Sequence, residues 1–259
     1  MVEERLSAHG QPVAISGVVS IFALVLALVL GVGAGTVTTI AGFGGGMLLA
    51  LALATWLGPA AALVVAAPAL GIGHIHRAYL YRDDVDAKVA RRFAVGAVPG
   101  AIVGGLLAAS VPESFLAVAL ALGAGLAVVQ ALGWIPRELG QRAVVPGAAG
   151  VGLLAASCGG GGVLLPPTLM SAGLSGRTFV ATASVGALVI QAVRISTYGA
   201  SGMVAWWHVP LMGAVALGAL GGNLVGRRVA DRLDERWMTH ATRATLGVAV
   251  GLGLWNLIA

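Results

Sequence analysis

Polar positions along this chain are sparse and clustered. Between them lie ten apolar stretches, at residues 14–38, 46–57, 59–80, 92–110, 113–133, 143–157, 163–173, 176–199, 207–226 and 241–258. About 20 apolar residues at ~1.5 Å per residue cover a ~30 Å hydrocarbon core, so the long stretches predict membrane-crossing helices. Residues 163–173 reach only about half of that depth, so the short stretches predict half-helices or hairpin arms. Two glycine clusters, Gly44-Gly45-Gly46 and Gly159-Gly160-Gly161-Gly162, break the apolar pattern at matching places in the two halves. Irregular backbone at membrane depth is tolerated only where protein packs it or where it lines a cavity. A pair of such breaks therefore predicts a pair of half-helices meeting at one ligand site.

The ten stretches fall into two sets of five, and the sequence repeats with them. Gly44-Gly45-Gly46-Met47-Leu48-Leu49 matches Gly160-Gly161-Gly162-Val163-Leu164-Leu165 at an offset of 116, and Gly100-Ala101-Ile102-Val103-Gly104-Gly105 matches Gly218-Ala219-Leu220-Gly221-Gly222-Asn223 at an offset of 118. Segment order, breaks and offsets agree together, which compositional likeness among glycine-rich helices does not explain. The expected organisation is an N-terminal tail at 1–13, a first membrane repeat at 14–133, a linker at 134–142 and a second membrane repeat at 143–259.

Charge placement says how the repeats are related. With the N-terminus outside and each half crossing an odd number of times, Arg77, Arg82, Lys88, Arg91, Arg92, Arg137, Arg142, Arg177, Arg227, Arg228, Arg232, Arg236 and Arg243 all fall inside. That leaves Arg5 outside and Arg194 within a span. Parallel halves would scatter the same charges over both sides, so the positive-inside rule favours inverted repeats. The fold class expected is an all-α polytopic membrane protein of two inverted-topology repeats, with about 8 to 10 transmembrane segments including the glycine-broken half-helices.

Composition narrows the function. The chain is 58% hydrophobic and 10% charged, with a mean hydropathy of +0.96, against about 25% charged for a soluble domain. The basic residues sit in short loops between apolar segments, so the high pI reads as membrane orientation and not as nucleic-acid binding. Met1 to Pro12 carries Glu3, Glu4 and only Arg5, which is not the basic region of a cleaved signal peptide. A single cysteine, Cys158, excludes an intrachain disulfide and a multi-cysteine metal site. Neither a metal nor a cofactor is expected, and the partners expected are the bilayer and a small anionic substrate; a homo-oligomer is compatible with the sequence. No apolar segment has an interior Asp or Glu, the residues that bind cations or relay protons in membrane pumps. Half-helices starting just after Gly46 and Gly162 would instead aim N–H groups and positive dipole ends inward, as a cradle for an anion.

The run Ser157-Cys158-Gly159-Gly160-Gly161-Gly162-Val163-Leu164-Leu165-Pro166-Pro167-Thr168-Leu169, followed by Val180-Ala181-Thr182-Ala183-Ser184 and mirrored by Ala41-Gly42-Phe43-Gly44-Gly45-Gly46, resembles the two signature regions of the TauE/SafE family. The resemblance extends over nearly the whole chain. It implies a permease of the bacterial cytoplasmic membrane that moves sulfite, organosulfonates or related small sulfur-containing anions. The family pattern has a proline after the first glycine cluster, where this chain has Leu49-Ala50-Leu51.

The candidate substrate-binding residues are Gly44, Gly45, Gly46, Thr38 and Thr39 at the first break and Ser157, Cys158, Gly160, Gly161, Gly162, Thr182 and Ser184 at the second, with Gln191 and Arg194 on the segment that follows. An arginine inside a membrane segment is a functional candidate by default, although Arg194 is near enough to the segment's end to snorkel to the interface. Gln191 serves either as a helix-to-helix hydrogen bond or as a substrate contact. The hydroxyls are neutral donors suited to an oxyanion, and small polar residues also simply pack membrane helices. His74 and His76 approach the basic loop as interfacial histidines, and Trp206 and Trp207 read as an interfacial belt.

Two rivals remain. Gly199-Ala200-Ser201-Gly202 resembles the serine motif of rhomboid-type intramembrane proteases, with His208 or His240 as a nominal base, but Ser201 follows a complete apolar segment and precedes a boundary loop. An assembly subunit of a membrane complex would leave the paired breaks without a reason. The reading reached is a transporter and not an enzyme. It works by alternating access, exporting the anion in preference to taking it up.

Overall fold

The computed structural model describes residues 14–15, 18–41, 45–132, 134, 141–230 and 235–258. The expected tail at 1–13, most of the expected linker and Gly44 lie outside the described residues. Ten α-helices are described: α1 (Ile21–Ala41), α2 (Gly45–Leu57), α3 (Pro59–Leu80), α4 (Ala87–Ser110), α5 (Glu113–Ala131), α6 (Val144–Cys158), α7 (Leu165–Met170), α8 (Gly176–Ala200), α9 (His208–Ala230) and α10 (Glu235–Ile258). Six of them, α1, α3, α4, α5, α8 and α9, have the length and apolar character to cross a membrane. Exposed side chains along the bundle are apolar, among them Phe22, Val29, Leu107, Leu122, Leu217 and Leu224, as lipid contact requires.

Two stretches depart from the sequence expectation. The first helix starts at Ile21, because Ala14–Ile15 (β1) and Val18–Val19 (β2) pair antiparallel and Ser20 Oγ accepts a hydrogen bond from the Ala23 N–H at 3.2 Å. Residues 163–173, expected as a half-helix or hairpin arm, form the end of a 3₁₀ turn (Gly160–Val163), a six-residue α7 and a reversal through Gly173 at φ 82°. Pro166 and Pro167 fit α7's first turn, but they remove two of the N–H groups that a helix start would otherwise present.

Packing reveals the symmetry. The most extensive helix contacts are α1 with α9 and α4 with α6, so the first helix of each repeat lies against the fourth of the other. Gly218, Gly222 and Gly226 of α9 approach Leu28, Val32 and Thr36 of α1, and Gly96, Gly100 and Gly104 of α4 approach Val145, Ala149 and Leu153 of α6. At each of these a Cβ would collide with backbone, so the glycines let the helices approach closely. Both pairs run parallel. α3 and α8 cross antiparallel, with Leu63 beside Arg194 and Gly71 beside Gln191. Short loops reverse the chain from α3 to α4 and from α8 to α9, so every helix is antiparallel to its counterpart where these contacts fix it. That is the inverted-topology repeat. The contacts pair Gly96, Gly100 and Gly104 with Gly218, Gly222 and Gly226, an offset of 122, one helical turn beyond the 118 read from sequence.

The symmetry gathers the charges. Arg77, Arg82, Lys88, Arg91, Arg92, Arg142, Arg177, Arg227 and Arg228 sit on helix ends and loops at one end of the bundle. Arg177 reaches Asp84 there at 3.2 Å, and Asp86 caps α4 by accepting from the Lys88 and Val89 N–H groups. The opposite end carries Glu113, Ser201, Trp206 and Trp207 and, among the described residues, no Lys or Arg.

Candidate functional site

Between the repeats lies a cavity of about 540 Å³ that extends from Arg77 and Phe179 near the basic end to Gln191 and Arg194. Its walls come from α1, α2, α3, α5, α6, α7, α8 and α9 and from the glycine turn. The lining is mostly apolar, and no Asp or Glu faces it among the described residues. The polar side chains that do are Thr38, His74, Arg77, Gln130, Ser184, Gln191, Arg194 and Asn223.

Arg194 is 1% exposed and does not snorkel. Its Nε–H donates to Tyr198 Oη at 3.2 Å, Nη1–H to Gln191 Oε1 at 2.9 Å and Nη2–H to the Leu63 carbonyl at 3.4 Å. Tyr198, also 1% exposed, donates in turn to the Ala156 carbonyl, so two α8 side chains tie α8 to α3 and α6. Among the described residues no carboxylate lies within ion-pair distance of Arg194. Removing an unpaired charge from water costs several kcal/mol, and dipolar carbonyl and hydroxyl partners recover only part of it. A guanidinium has five N–H donors, and three are engaged here. The other two have no hydrogen-bond partner among the described residues.

Of the other residues proposed from sequence, the cavity brings together Thr38, Gly46, Gly160, Gly161, Gly162, Ser184, Gln191 and Arg194. Gly45, Thr39, Ser157, Cys158 and Thr182 lie off it. Thr39 bonds the Gly35 carbonyl and Asn223 Oδ1, while Ser157 and Cys158 donate to the Leu153 and Leu154 carbonyls one turn back. Thr182 Oγ1 accepts from the Asp86 N–H and joins α8 to the loop before α4. Gly44 is outside the described residues.

The breaks themselves meet. A Cβ on Gly160 would lie 3.0 Å from Met47 Cε, and one on Gly159 would lie 3.3 Å from Ala50 Cβ, which places the start of α2 against the second glycine turn. Gly45 and Gly161 share one environment. Each packs on the helix before it, against Ala34 and Thr38 in the first repeat and against Val151 and Ala155 in the second, with no room for a Cβ. Close approach at these two glycines serves helix packing. Gly162, by contrast, is exposed and has nothing within 4 Å of its Cβ position. The first turn of α2 and the glycine turn border the cavity through Gly46 and through Gly160, Gly161 and Gly162, and leading N–H groups of such turns have no partner within the turn. The two prolines limit what α7 can add.

Four polar residues of the cavity, His74, Arg77, Gln130 and Asn223, are not among the substrate-binding candidates drawn from the sequence. Arg77 was read only as a loop charge and His74 as an interfacial residue. A usable signal existed. Arg77 and Tyr81 repeat as Arg194 and Tyr198 at an offset of 117, and His74 and Gln191 correspond at the same offset.

Inverted helical repeats around a cationic, largely apolar cavity define a multi-pass membrane transporter. The chain belongs to the sulfite exporter TauE/SafE family, whose model matches residues 26–254. That family consists of transporters and not enzymes, and it handles sulfur-containing anions. No curated protein and no solved structure matches the chain. Ser201 accordingly has no nucleophile's setting: it is an exposed residue at the end of α8, and among the described residues no hydrogen bond joins it to His208, whose Nδ1 accepts from the Ala205 N–H.

Proposed function

We propose that the protein exports a small sulfur oxyanion, sulfite or an organosulfonate, across the bacterial cytoplasmic membrane by alternating access. The supporting observation is Arg194, a buried cation without a carboxylate partner among the described residues, on the wall of a cavity that none of their acidic side chains faces. An oxyanion there would take the free Arg194 N–H groups and the Gln191 amide, with backbone N–H groups of the glycine turn and of the α2 N-terminus supplying further positive potential. Neutral and cationic solutes gain nothing from this lining.

The basic end is cytoplasmic by the positive-inside rule, so the cavity extends toward the cytoplasm. The outer end is held shut by Arg194 on the Leu63 carbonyl and by Tyr198 on the Ala156 carbonyl. At the offset of 117 the equivalent set is Arg77 with Val180 and Tyr81 with Thr39. In the outward-open state the halves, 14–133 and 143–259, rock so that these take up the ties that Arg194 and Tyr198 release. Outward movement of an anion follows the membrane potential at about 2.3 kcal/mol per charge per 100 mV, so export requires no coupled ion.

Flux of a panel of labelled anions through proteoliposomes tests the reading. Sulfite or an organosulfonate should pass, and choline and potassium should not. Arg194→Gln, which keeps polarity and removes charge, should lower anion flux about 100-fold, since a desolvated charge-assisted contact is worth roughly 1.5–3 kcal/mol or more. Unchanged anion flux in that variant would remove Arg194 from the site.

A further inference from the structure

Arg194 has a symmetry mate in the same cavity, and that mate is held differently. Arg77 and His74 stand three residues apart on α3, as Arg194 and Gln191 do on α8, at the offset of 117 that also relates Leu28, Val32 and Thr36 of α1 to Val145, Ala149 and Leu153 of α6. Both pairs face the cavity. Their surroundings differ. Arg194 is hydrogen-bonded by three of its donors, whereas the Arg77 side chain makes no hydrogen bond or ion pair among the described residues. Two further polar atoms near this end, His74 Nδ1 and Gln130 Oε1, are buried without a hydrogen-bond partner. Buried polar atoms are nearly always satisfied, so His74 next to an unpaired guanidinium, with Gln130 on the wall of the same cavity, points to a polar ligand. Asn223 and Thr38 border the same end from α9 and α1.

We propose that Arg77 and His74, with Gln130, form a second oxyanion subsite toward the basic end, distinct from the one at Arg194. The inference rests on the transport reading above. Leu63, which touches Arg194, and Arg77 are 14 residues apart on α3, which is about 20 Å along the axis, too far for one small oxyanion to be held tightly at both ends. Arg77 supplies the charge. Gln130 and His74 satisfy their unpaired atoms by accepting from a protonated oxygen of the anion or by donating after an amide flip or change of tautomer. The anion thus meets one arginine on entering and a second at depth, and the two are interchanged by the internal symmetry when the molecule turns over.

Equilibrium binding of ³⁵S-sulfite to the purified full-length protein in detergent tests this. Wild type should bind two sulfites per chain, Arg77→Gln one and Arg194→Gln one. Arg77→Lys, which retains charge without the planar fork, should keep both sites with the second weakened roughly tenfold. Equal elution and thermal midpoint across the set certify folding. One site per chain that Arg194→Gln removes and Arg77→Gln leaves alone overturns the second subsite and preserves the transport reading. One site removed by either variant also overturns it, in favour of a single anion shared by both arginines. No sulfite bound by wild type refutes both.

Discussion

Arg194–Tyr198 and Arg77–Tyr81 occupy equivalent places in the two repeats and are held in opposite ways. The first pair is nearly inaccessible and tied to carbonyls of α3 and α6. The second has no such tie; the Tyr81 ring instead lies 5.7 Å from the Arg177 guanidinium in the loop region at the basic end. The side chains are the same, and the carbonyls that hold the first pair have backbone counterparts at Val180 and Thr39. Composition therefore does not prevent the second pair from closing. The difference is one of conformation: on the mechanism proposed above, the two are equivalent latches of which one is shut. A transporter that never leaves the cavity open at both ends needs such a pair out of step.

The most damaging way to break the comparison is to attack the seams that both halves share. Gly100→Leu on α4 and Gly222→Leu on α9 each drive a side chain into backbone, of Ala149 and Val32 respectively, where no rotamer provides escape. Overpacking of rigid backbone should cost at least about 3 kcal/mol. Both variants should lose most folded protein, to a similar extent, by gel filtration and thermal midpoint. Gly33→Leu, which faces open space on α1, should be indistinguishable from wild type. Collapse of only one seam would mean that the halves are not mechanically equivalent.

Cross-linking sharpens the comparison without destroying the protein. In a Cys158→Ala background, cysteines at Ala156 and Tyr198 should join readily through a short bifunctional reagent, and that bond should arrest flux. Cysteines at Thr39 and Tyr81 should join slowly, and faster when conditions populate the outward-open state. Equal rates for the two pairs in every condition would contradict an exchange of latches.

How much of this was legible depends on what each residue type reveals. Most of the ten apolar segments end near the helix ends, because polar residues bound the part of a helix that lies in the membrane, but α4 and α10 begin five and six residues earlier, carrying basic residues into their first turns at the interface. The internal repeat was legible at the breaks, where Gly45 and Gly161 share an environment. Along α4 and α9 it was out by one turn, because glycines spaced every four residues match equally well after a shift of four. Arg77 was hidden by its neighbours: four basic residues follow it within 15 positions, so it read as a loop charge although it lies inside α3. Gln130 and Asn223 are near the ends of their segments, where a polar residue usually marks a boundary. The shortness of α7 was written in Pro166-Pro167 and Gly173, whose local geometry outweighs an apolar run of eleven residues.

A smaller effect separates the roles of adjacent glycines. A Cβ on Gly161 would be 2.5 Å from Ala155 Cβ and 2.7 Å from the Val151 carbonyl, so Gly161→Ala should destabilise the fold by about 1–3 kcal/mol. Gly162→Ala meets open space, so it should leave the melting temperature alone and weaken anion binding by a few fold through crowding of the turn. Gly45→Ala in the first repeat should behave like Gly161→Ala. Anion-dependent thermal stabilisation reads both quantities. A stable Gly161→Ala variant that has lost anion binding would return that glycine from packing to direct ligand contact.

The least perturbing substitutions address the ends themselves. Asp84 pairs with Arg177 at the surface of the basic end, where an exposed ion pair is worth about 0–1 kcal/mol, and Ser201 is exposed at the opposite end with no side-chain partner among the described residues. Asp84→Cys and Ser201→Cys, each in the Cys158→Ala background, should therefore transport as that background does. In cells, a membrane-impermeant maleimide should label Ser201→Cys from outside and Asp84→Cys only after the membrane is opened, because α3 and α8 run antiparallel and their ends define the two faces. Ser201→Ala should likewise leave flux intact, and a fluorophosphonate should fail to react with wild type. Labelling of both cysteines from one side would place the basic and aromatic ends on the same face and undo the inverted arrangement, whereas fluorophosphonate attachment at Ser201 would reopen the protease reading that its exposed position argues against.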